Sequence, residues 1–208
     1  MSDEAQVMSA SVSLLESFRW WKQSDQDWAW FIVRLSQPKT PEMEAGTAFH
    51  KMLAAMEPGS FREREVDGFT FNFEEFEGTL AFGGIFEHPC SRTYGDLLVR
   101  GRADEVLGNC VTDFKLTFSS FDAEKYMESA QWRFYLDMLG KDVFRYEVFM
   151  AYAGPDSYSI RQMHSLTLYR YPELHRDCCK LAAEFSRAAI IHPEICKFRN
   201  ADVQEELC

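Results

Sequence analysis

The sequence predicts a single α/β domain, a central mixed β-sheet flanked by helices. Three observations carry that expectation. The chain has 208 residues, of which 46% are hydrophobic and 15% aromatic, so it has the length of one domain and enough apolar side chains for a sizeable core. Helix signals open it, short apolar runs bounded by glycine fill its middle, and a helix, a strand pair and a last helix close it. No repeat, low-complexity tract or linker divides it. One domain over 1–208 is expected, with N-terminal helices over 11–58, a strand cluster and its helix over 61–140, C-terminal strands and helix over 143–192, and a polar tail over 193–208.

Each element has its own signal. Ser13-Leu14-Leu15-Glu16 reads as a capping box opening an amphipathic helix through Trp21. Asp27–Leu35 is a second, aromatic helical segment. Thr40 caps a third, with Pro41 at its first position and Glu42 and Glu44 in its first turn, where acids meet the positive end of the helix dipole. Pro58-Gly59 reads as its stop. Phe61–Val66, Phe69–Phe73, Leu80–Phe86, Leu97–Leu107 and Cys110–Thr117 read as strands. A helix from about Asp122 to Leu139 follows. Val143–Tyr152 and Tyr158–Leu168 then flank the turn Gly154-Pro155-Asp156-Ser157, and the last helix runs from Pro172 to about Ile191.

Several classes fall away. No apolar stretch approaches the roughly 20 residues of a membrane helix, and the acidic start Met1-Ser2-Asp3-Glu4 has no apolar run behind it, so neither a membrane span nor a signal peptide is expected. Six cysteines at irregular spacing, none in C-x-x-C, predict reduced thiols in a cytoplasmic protein rather than a disulfide framework or zinc knuckle. The net charge of −11 argues against general affinity for nucleic acid. That charge is uneven, however: residues 61–155 hold 17 acids and 10 bases, whereas 156–200 hold 5 and 7. A local site can therefore overrule the whole surface.

The informative segment is Arg100–Leu116. Gly108-Asn109 between two strand-like runs is a two-residue hairpin signal. With those residues as the turn, Leu107 faces Cys110 and Asp104 faces Asp113. Opposed carboxylates on adjacent strands repel, and a cation between them removes the conflict. Oxygen ligands of this kind suit Mg²⁺ or Mn²⁺. Asp113 and Lys115 share one face of their strand, with Phe114 on the other. Two acids and a lysine together can serve metal-assisted phosphodiester hydrolysis, the lysine orienting water and stabilising negative charge. Taken singly, each is an ordinary surface residue in a Lys–Asp pair of little weight.

These residues resemble the core of the RecB-type branch of the PD-(D/E)XK nuclease superfamily, its phage exonuclease members included. Gly46-Thr47-Ala48-Phe49-His50 resembles the G-x-x-x-H motif, Gly101-Arg102-Ala103-Asp104 the G-x-x-D motif, Asp113-Phe114-Lys115 the D-x-K motif, and Gln131-Trp132-Arg133-Phe134-Tyr135 the Q-x-x-x-Y motif. Ser11–Phe18 resembles the family's serine-bearing first helix. The match spans roughly residues 11–140, and its specificity lies in the order of four individually weak motifs.

The resemblance implies a restriction-endonuclease-like core and a divalent-metal-dependent DNA exonuclease acting on linear ends in recombination, repair or phage DNA metabolism, in a bacterial or phage-infected cell. His50, Asp104, Asp113 and the backbone carbonyl of Phe114 are the implied Mg²⁺ or Mn²⁺ ligands, and Lys115 the catalytic lysine. Gln131 and Tyr135 are implied to hold the site and the substrate, with Arg102, Ser13 and Glu65 as further contacts. Taken alone, His50 would be a core histidine, Gln131 and Tyr135 one face of an amphipathic helix, and Glu65 a charged edge residue. Trp20, Trp21 and Trp132 are candidates to stack bases, core packing being the ordinary use of at least two. Expected partners are linear duplex or single-stranded DNA, a single-strand annealing or recombination protein, and further copies in a ring. Relatives with an iron–sulfur cluster use a cysteine before the histidine motif and a C-terminal C-x-x-C; here none precedes Cys90 and that spacing is missing, so no cluster is expected. The alternatives are a non-catalytic DNA-binding or recombination partner, a metal-dependent endonuclease, and an RNA-directed hydrolase.

Overall fold

The computed structural model describes residues 8–55, 63–78, 83–154 and 157–198. The stop at Pro58-Gly59, the openings of the strands expected at Phe61 and Leu80, the turn residues Pro155-Asp156 and the tail from 199 on lie outside them. In chain order the elements are β1 (Met8–Ser11), α1 (Val12–Gln23), α2 (Trp28–Leu35), α3 (Pro41–Ala54), β2 (Glu63–Val66), β3 (Phe69–Asn72), β4 (Ile85–Tyr94), β5 (Leu97–Leu107) and β6 (Cys110–Thr117). There follow α4 (Ala123–Glu128), α5 (Gln131–Leu139), β7 (Val143–Ala153), β8 (Tyr158–Tyr169), α6 (Leu174–Ile191) and a 3-10 helix (Pro193–Phe198). The architecture is the expected mixed sheet flanked by helices. No described helix is long and apolar enough to cross a membrane.

The strands form one sheet in the order β1-β5-β6-β7-β8-β3-β2, with β4 also on β5. The pairs β1–β5, β6–β7 and β3–β8 are parallel and the rest antiparallel. One consequence shapes the molecule. β4 pairs along one edge of β5 from Leu97 to Val106, so β1 and β6 must share the other. β1 takes Leu97–Arg100 and β6 takes Glu105–Leu107. Between them, Gly101–Asp104 has no strand beside it on that edge, and the sheet is split.

Helices close both faces. On one, Leu15 and Phe18 of α1, Leu136 of α5 and Phe185 of α6 bury against Val99, Val111 and Phe144. On the other, Phe49, Met52 and Leu53 of α3 bury against Phe71, Phe114 and Phe149. A fully buried side chain of this size contributes roughly 1.5–3 kcal/mol.

The cap at Thr40 is observed, its side chain accepting a backbone N–H of the first turn; Asp27, expected as the first residue of the second helical segment, caps α2 in the same way. So is the hairpin, with Gly108 at φ +57 and Leu107 paired to Cys110. Six expectations are corrected. α1 is capped by Ser11, whose Oγ accepts the N–H of Leu14 at 3.1 Å, not by Ser13. Residues 8–11 form a strand because β5 offers them a parallel partner. α3 ends at Ala54. The strand expected to end at Phe86 instead continues to Tyr94; its Pro89 and polar residues are tolerated because β4 is an edge strand. The helix expected over 122–139 is two, interrupted at Ser129, which is extended (φ −52, ψ 140) and whose hydroxyl accepts the N–H of Gln131. Finally, the tail expected to be polar from 193 begins as a 3-10 helix that buries Ile195.

Candidate active site

Asp104 ends the unpaired stretch of β5. Extending the hairpin register by one step sets it opposite Asp113, but the ladder stops at Glu105–Thr112. In place of a further backbone bond, Asp104 Oδ2 accepts the N–H of Phe114 at 2.8 Å. A side-chain oxygen thus satisfies the strand where the sheet opens. On the other edge, Glu87 lies between the pairs Phe86–Glu105 and His88–Ala103, hence opposite Asp104, and has φ +52. A left-handed non-glycine residue costs about 1–2 kcal/mol, and this one breaks the β4–β5 ladder beside the acid. Its carboxylate takes the Arg102 guanidinium at 3.0 Å.

The split lets side chains from both faces of the sheet meet. Phe114 packs under α3, which turns Asp113 and Lys115 to the opposite face. From α3, His50 Nδ1 approaches Asp104 Oδ2 at 3.3 Å. From α5, Gln131 donates Nε2–H to Asp113 Oδ1 at 2.6 Å. Lys115 Nζ lies 2.6 Å from Asp113 Oδ2. That last contact is one of charge, since this buried oxygen has no well-directed hydrogen bond.

Tyr135, one turn after Gln131, serves the same split from within the core. Its buried hydroxyl donates to the Arg102 carbonyl at 2.8 Å, a group that the missing strand would otherwise have bonded. Its ring explains Gly101: a Cβ there would lie 2.8 Å from Tyr135 Cε1 and 2.9 Å from Val12 Cγ2. The N-terminus of α5 is anchored from another helix. Ala130 has no side chain with which to cap, and Glu16 accepts its N–H at 2.6 Å. Sequence reasoning placed Glu16 in a local capping box; its long-range use had no local signal, and neither had the kink at Glu87.

The electrostatics follow from burial and crowding. Burial pushes the Asp113 carboxyl up, the nearby Asp104 charge adds to this, and Lys115 and His50 offset part of it, leaving a pKa of about 6. Burial also raises Asp104, but His50, Lys115 and the Phe114 N–H outweigh it and hold that carboxyl low. For His50 and Lys115, burial favours the neutral form, yet the neighbouring carboxylates win and raise both.

The other expected residues lie elsewhere. Ser13 is exposed on α1, and Glu65 is exposed on β2 at the far edge of the sheet, beyond β7, β8 and β3 from Lys115. Trp21 stacks on Phe31 and donates to the carbonyls of Gln26 and Asp27, and Trp132 is buried with its N–H on the Met127 carbonyl. Trp20 is 44% exposed, 5.7 Å from the Trp30 ring, with the Arg34 guanidinium over both.

As the side chains stand, no three His, Cys, Asp or Glu among the described residues form a group that could hold a metal ion: His50 is turned to Asp104, and Lys115 and Gln131 to Asp113. The donor chemistry nonetheless fits a hard divalent cation. Two carboxylates and an imidazole gather in a split of the sheet, and the buried Asp113 oxygen has charge compensation without a hydrogen bond.

No family model matches the chain, and no curated protein matches it. Among solved structures, SSO0001 aligns over 88% of this chain and 77% of its own at 15% identity, with a TM-score of 0.50. The alkaline exonuclease LHK-Exo from Laribacter hongkongensis aligns over 96% of both chains at 13% identity and a TM-score of 0.46. LHK-Exo in complex with dAMP covers 97% of this chain and 96% of that one at 12% identity and a TM-score of 0.46. At such identities, likeness is one of fold alone, and the chemistry of the site rests on its own geometry.

Proposed function

We propose that this protein is a divalent-metal-dependent deoxyribonuclease of the PD-(D/E)XK type, an exonuclease that hydrolyses linear DNA from an end in recombination, repair or phage DNA metabolism. One observation carries the reading. His50, Asp104, Asp113, Lys115 and Gln131, separated by up to 81 positions in sequence, gather where the sheet is split, with the buried Asp113, the part-buried Asp104 and one lysine side by side.

Mg²⁺ or Mn²⁺ held by His50, Asp104, Asp113 and the Phe114 carbonyl would supply Lewis-acid charge and a more acidic bound water. The chain does the rest. Lys115, 31% exposed at its side chain, orients the attacking water and donates toward the phosphoryl oxygens as negative charge develops. Gln131 fixes the rotamer of Asp113 through Oδ1 and leaves Oδ2 for the reaction. Tyr135 holds the β5 backbone at Arg102 and is a positioning residue. The half-buried Arg102 side chain, ion-paired to Glu87, and the exposed Trp20 are the contacts with DNA in this reading.

The test incubates the protein with end-labelled linear and covalently closed circular DNA, with Mg²⁺, Mn²⁺ or chelator, beside Asp113→Ala and Lys115→Ala. Loss of linear DNA alone, dependent on metal and on both residues, is the expected result. Equal degradation by the variants overturns the site. Cutting of closed circles makes the enzyme an endonuclease, and preference for RNA redirects the substrate.

A further inference from the structure

A second constellation of reactive groups lies away from the split, where α5 meets α6. The Asp137 side chain is 2% exposed. Its Oδ2 accepts from the Tyr94 hydroxyl at 2.9 Å and from His175 Nδ1 at 2.9 Å, and Arg92 and Arg170 stand at 3.2 and 3.6 Å. An ionised carboxylate can only accept, so Nδ1 carries the ring proton and the lone pair of the neutral imidazole sits on Nε2. Nε2 is 3.4 Å from Sγ of Cys179, one turn further along α6. A thiol, a base within reach of it and a buried group that fixes the base form the arrangement that activates nucleophiles.

We propose that Cys179 is a reactive thiol, activated by His175 and oriented through Asp137, that takes up low-molecular-weight disulfides as mixed disulfides. The thiol proton passes to Nε2. The thiolate then attacks one sulfur of the incoming disulfide, whose S–S bond breaks as the bond to Sγ forms. The departing thiolate recovers the proton from the imidazolium, so one disulfide is consumed, one mixed disulfide is formed and one thiol is released.

The surroundings agree. His175 is 52% exposed at its side chain and lines an open cleft of about 430 Å³ with Asp142, Tyr169, Arg170, Tyr171 and Pro172, so solvent and small solutes reach the imidazole; Cys179 itself lies outside that lining. Cys179 is partly exposed, whereas Cys178 beside it is buried. Burial pushes the Cys178 thiol well up, the Cys90 thiol to about 12 and the Cys110 thiol up, which makes those three inert by comparison.

The experiment treats the full chain with oxidised glutathione at neutral pH and follows each cysteine by peptide mass. Cys179 is expected to be modified first, about tenfold or more faster in the folded protein than in the denatured one. His175→Gln, at an exposed position, is expected to lower that rate about tenfold while leaving the other cysteines unchanged. Because removing the imidazole cannot reduce access to Sγ, the fall would report activation. Cys179→Ser abolishes the adduct. Asp137→Asn repeats the test where it folds; where it does not, His175→Gln decides. Modification of folded Cys179 no faster than the denatured thiol, or an unchanged rate in His175→Gln, overturns the proposal.

Discussion

Asp113 and Asp137 are both buried carboxylates, 3% and 4% exposed, and both face α5 or lie on it. Their surroundings differ in a way that separates structural from chemical use. Asp137 is over-supplied: a tyrosine hydroxyl, a histidine and two arginines converge on it. Burial alone would raise its pKa, but the bonds from His175 and Tyr94 and the Arg92 charge hold it low. Asp113 is under-supplied. It has one amide, one lysine and a second carboxylate for a neighbour, and its pKa stands at about 6. A carboxylate left short of positive charge by its own chain retains affinity for a cation from outside; a saturated one does not.

Substitution gives the sharpest test of that contrast. Asp113→Ala or Lys115→Ala is expected to reduce nuclease turnover by about 10²–10⁴-fold with little change in melting temperature. Asp137→Ala, which strands Arg92, Arg170 and His175, is expected to cost about 3–5 kcal/mol of stability, read as a lower denaturation midpoint. If the two variants exchanged signatures, the assignment of roles would be reversed.

Metal addition probes the same difference less drastically. Mg²⁺ or Mn²⁺ at a hundredfold excess over Kd is expected to stabilise the wild type by about 2.7 kcal/mol. No such shift is expected in Asp104→Asn or Asp113→Asn. A full shift in those variants would place the cation elsewhere.

Tyr135→Phe tests the split rather than the acids. Its ring still fills the space beside Gly101, but the Arg102 carbonyl loses its donor, a loss of about 1–3 kcal/mol for a buried unsatisfied group. Thermal unfolding measures it. A neutral substitution would mean that β5 does not need the tyrosine to stay open.

The smallest effect is a difference in pH dependence in chelator. The lowered pKa of Asp137 contributes stability that is present above the ordinary carboxylate value of 3.8 and is lost as pH falls through the folded value. The raised pKa of Asp113 works the other way: it favours the folded state while the carboxyl is protonated, and that advantage is lost as pH rises from 3.8 to about 6. Urea unfolding from about pH 3 to about pH 8, wild type against each Asp→Asn variant, should give difference curves of opposite slope. Parallel curves would show that both carboxylates sit in equivalent environments.

The same division runs through what could be read in the chain. The cap at Thr40, the hairpin turn at Gly108-Asn109 and the alternation that sets Phe114 against Asp113 and Lys115 were all legible, because each depends on residues within a turn or two of one another. β4 was cut short because a polar edge strand containing Pro89 carries no apolar alternation. β1 was missed because four residues become a strand only beside β5. The interruption at Ser129 was missed because the pattern of apolar residues continues across it, and Glu16 was assigned to its own helix although it holds the N-terminus of α5.

By itself, then, the sequence determined the α/β class, most of the elements and the identity of the chemical groups, since periodicity, caps and turn chemistry act over short spans. It named His50, Asp104, Asp113, Lys115 and Gln131 through motif order. Only the tertiary structure decided why they can meet. β1 and β6 share one edge of β5, the gap between them opens the sheet, and side chains from α3 on one face and α5 on the other reach the same pair of carboxylates. The balance of charge around Asp113 and Asp137, and the alignment of Asp137, His175 and Cys179, were decided there too, because electrostatic and hydrogen-bonding neighbours are set by distance in space.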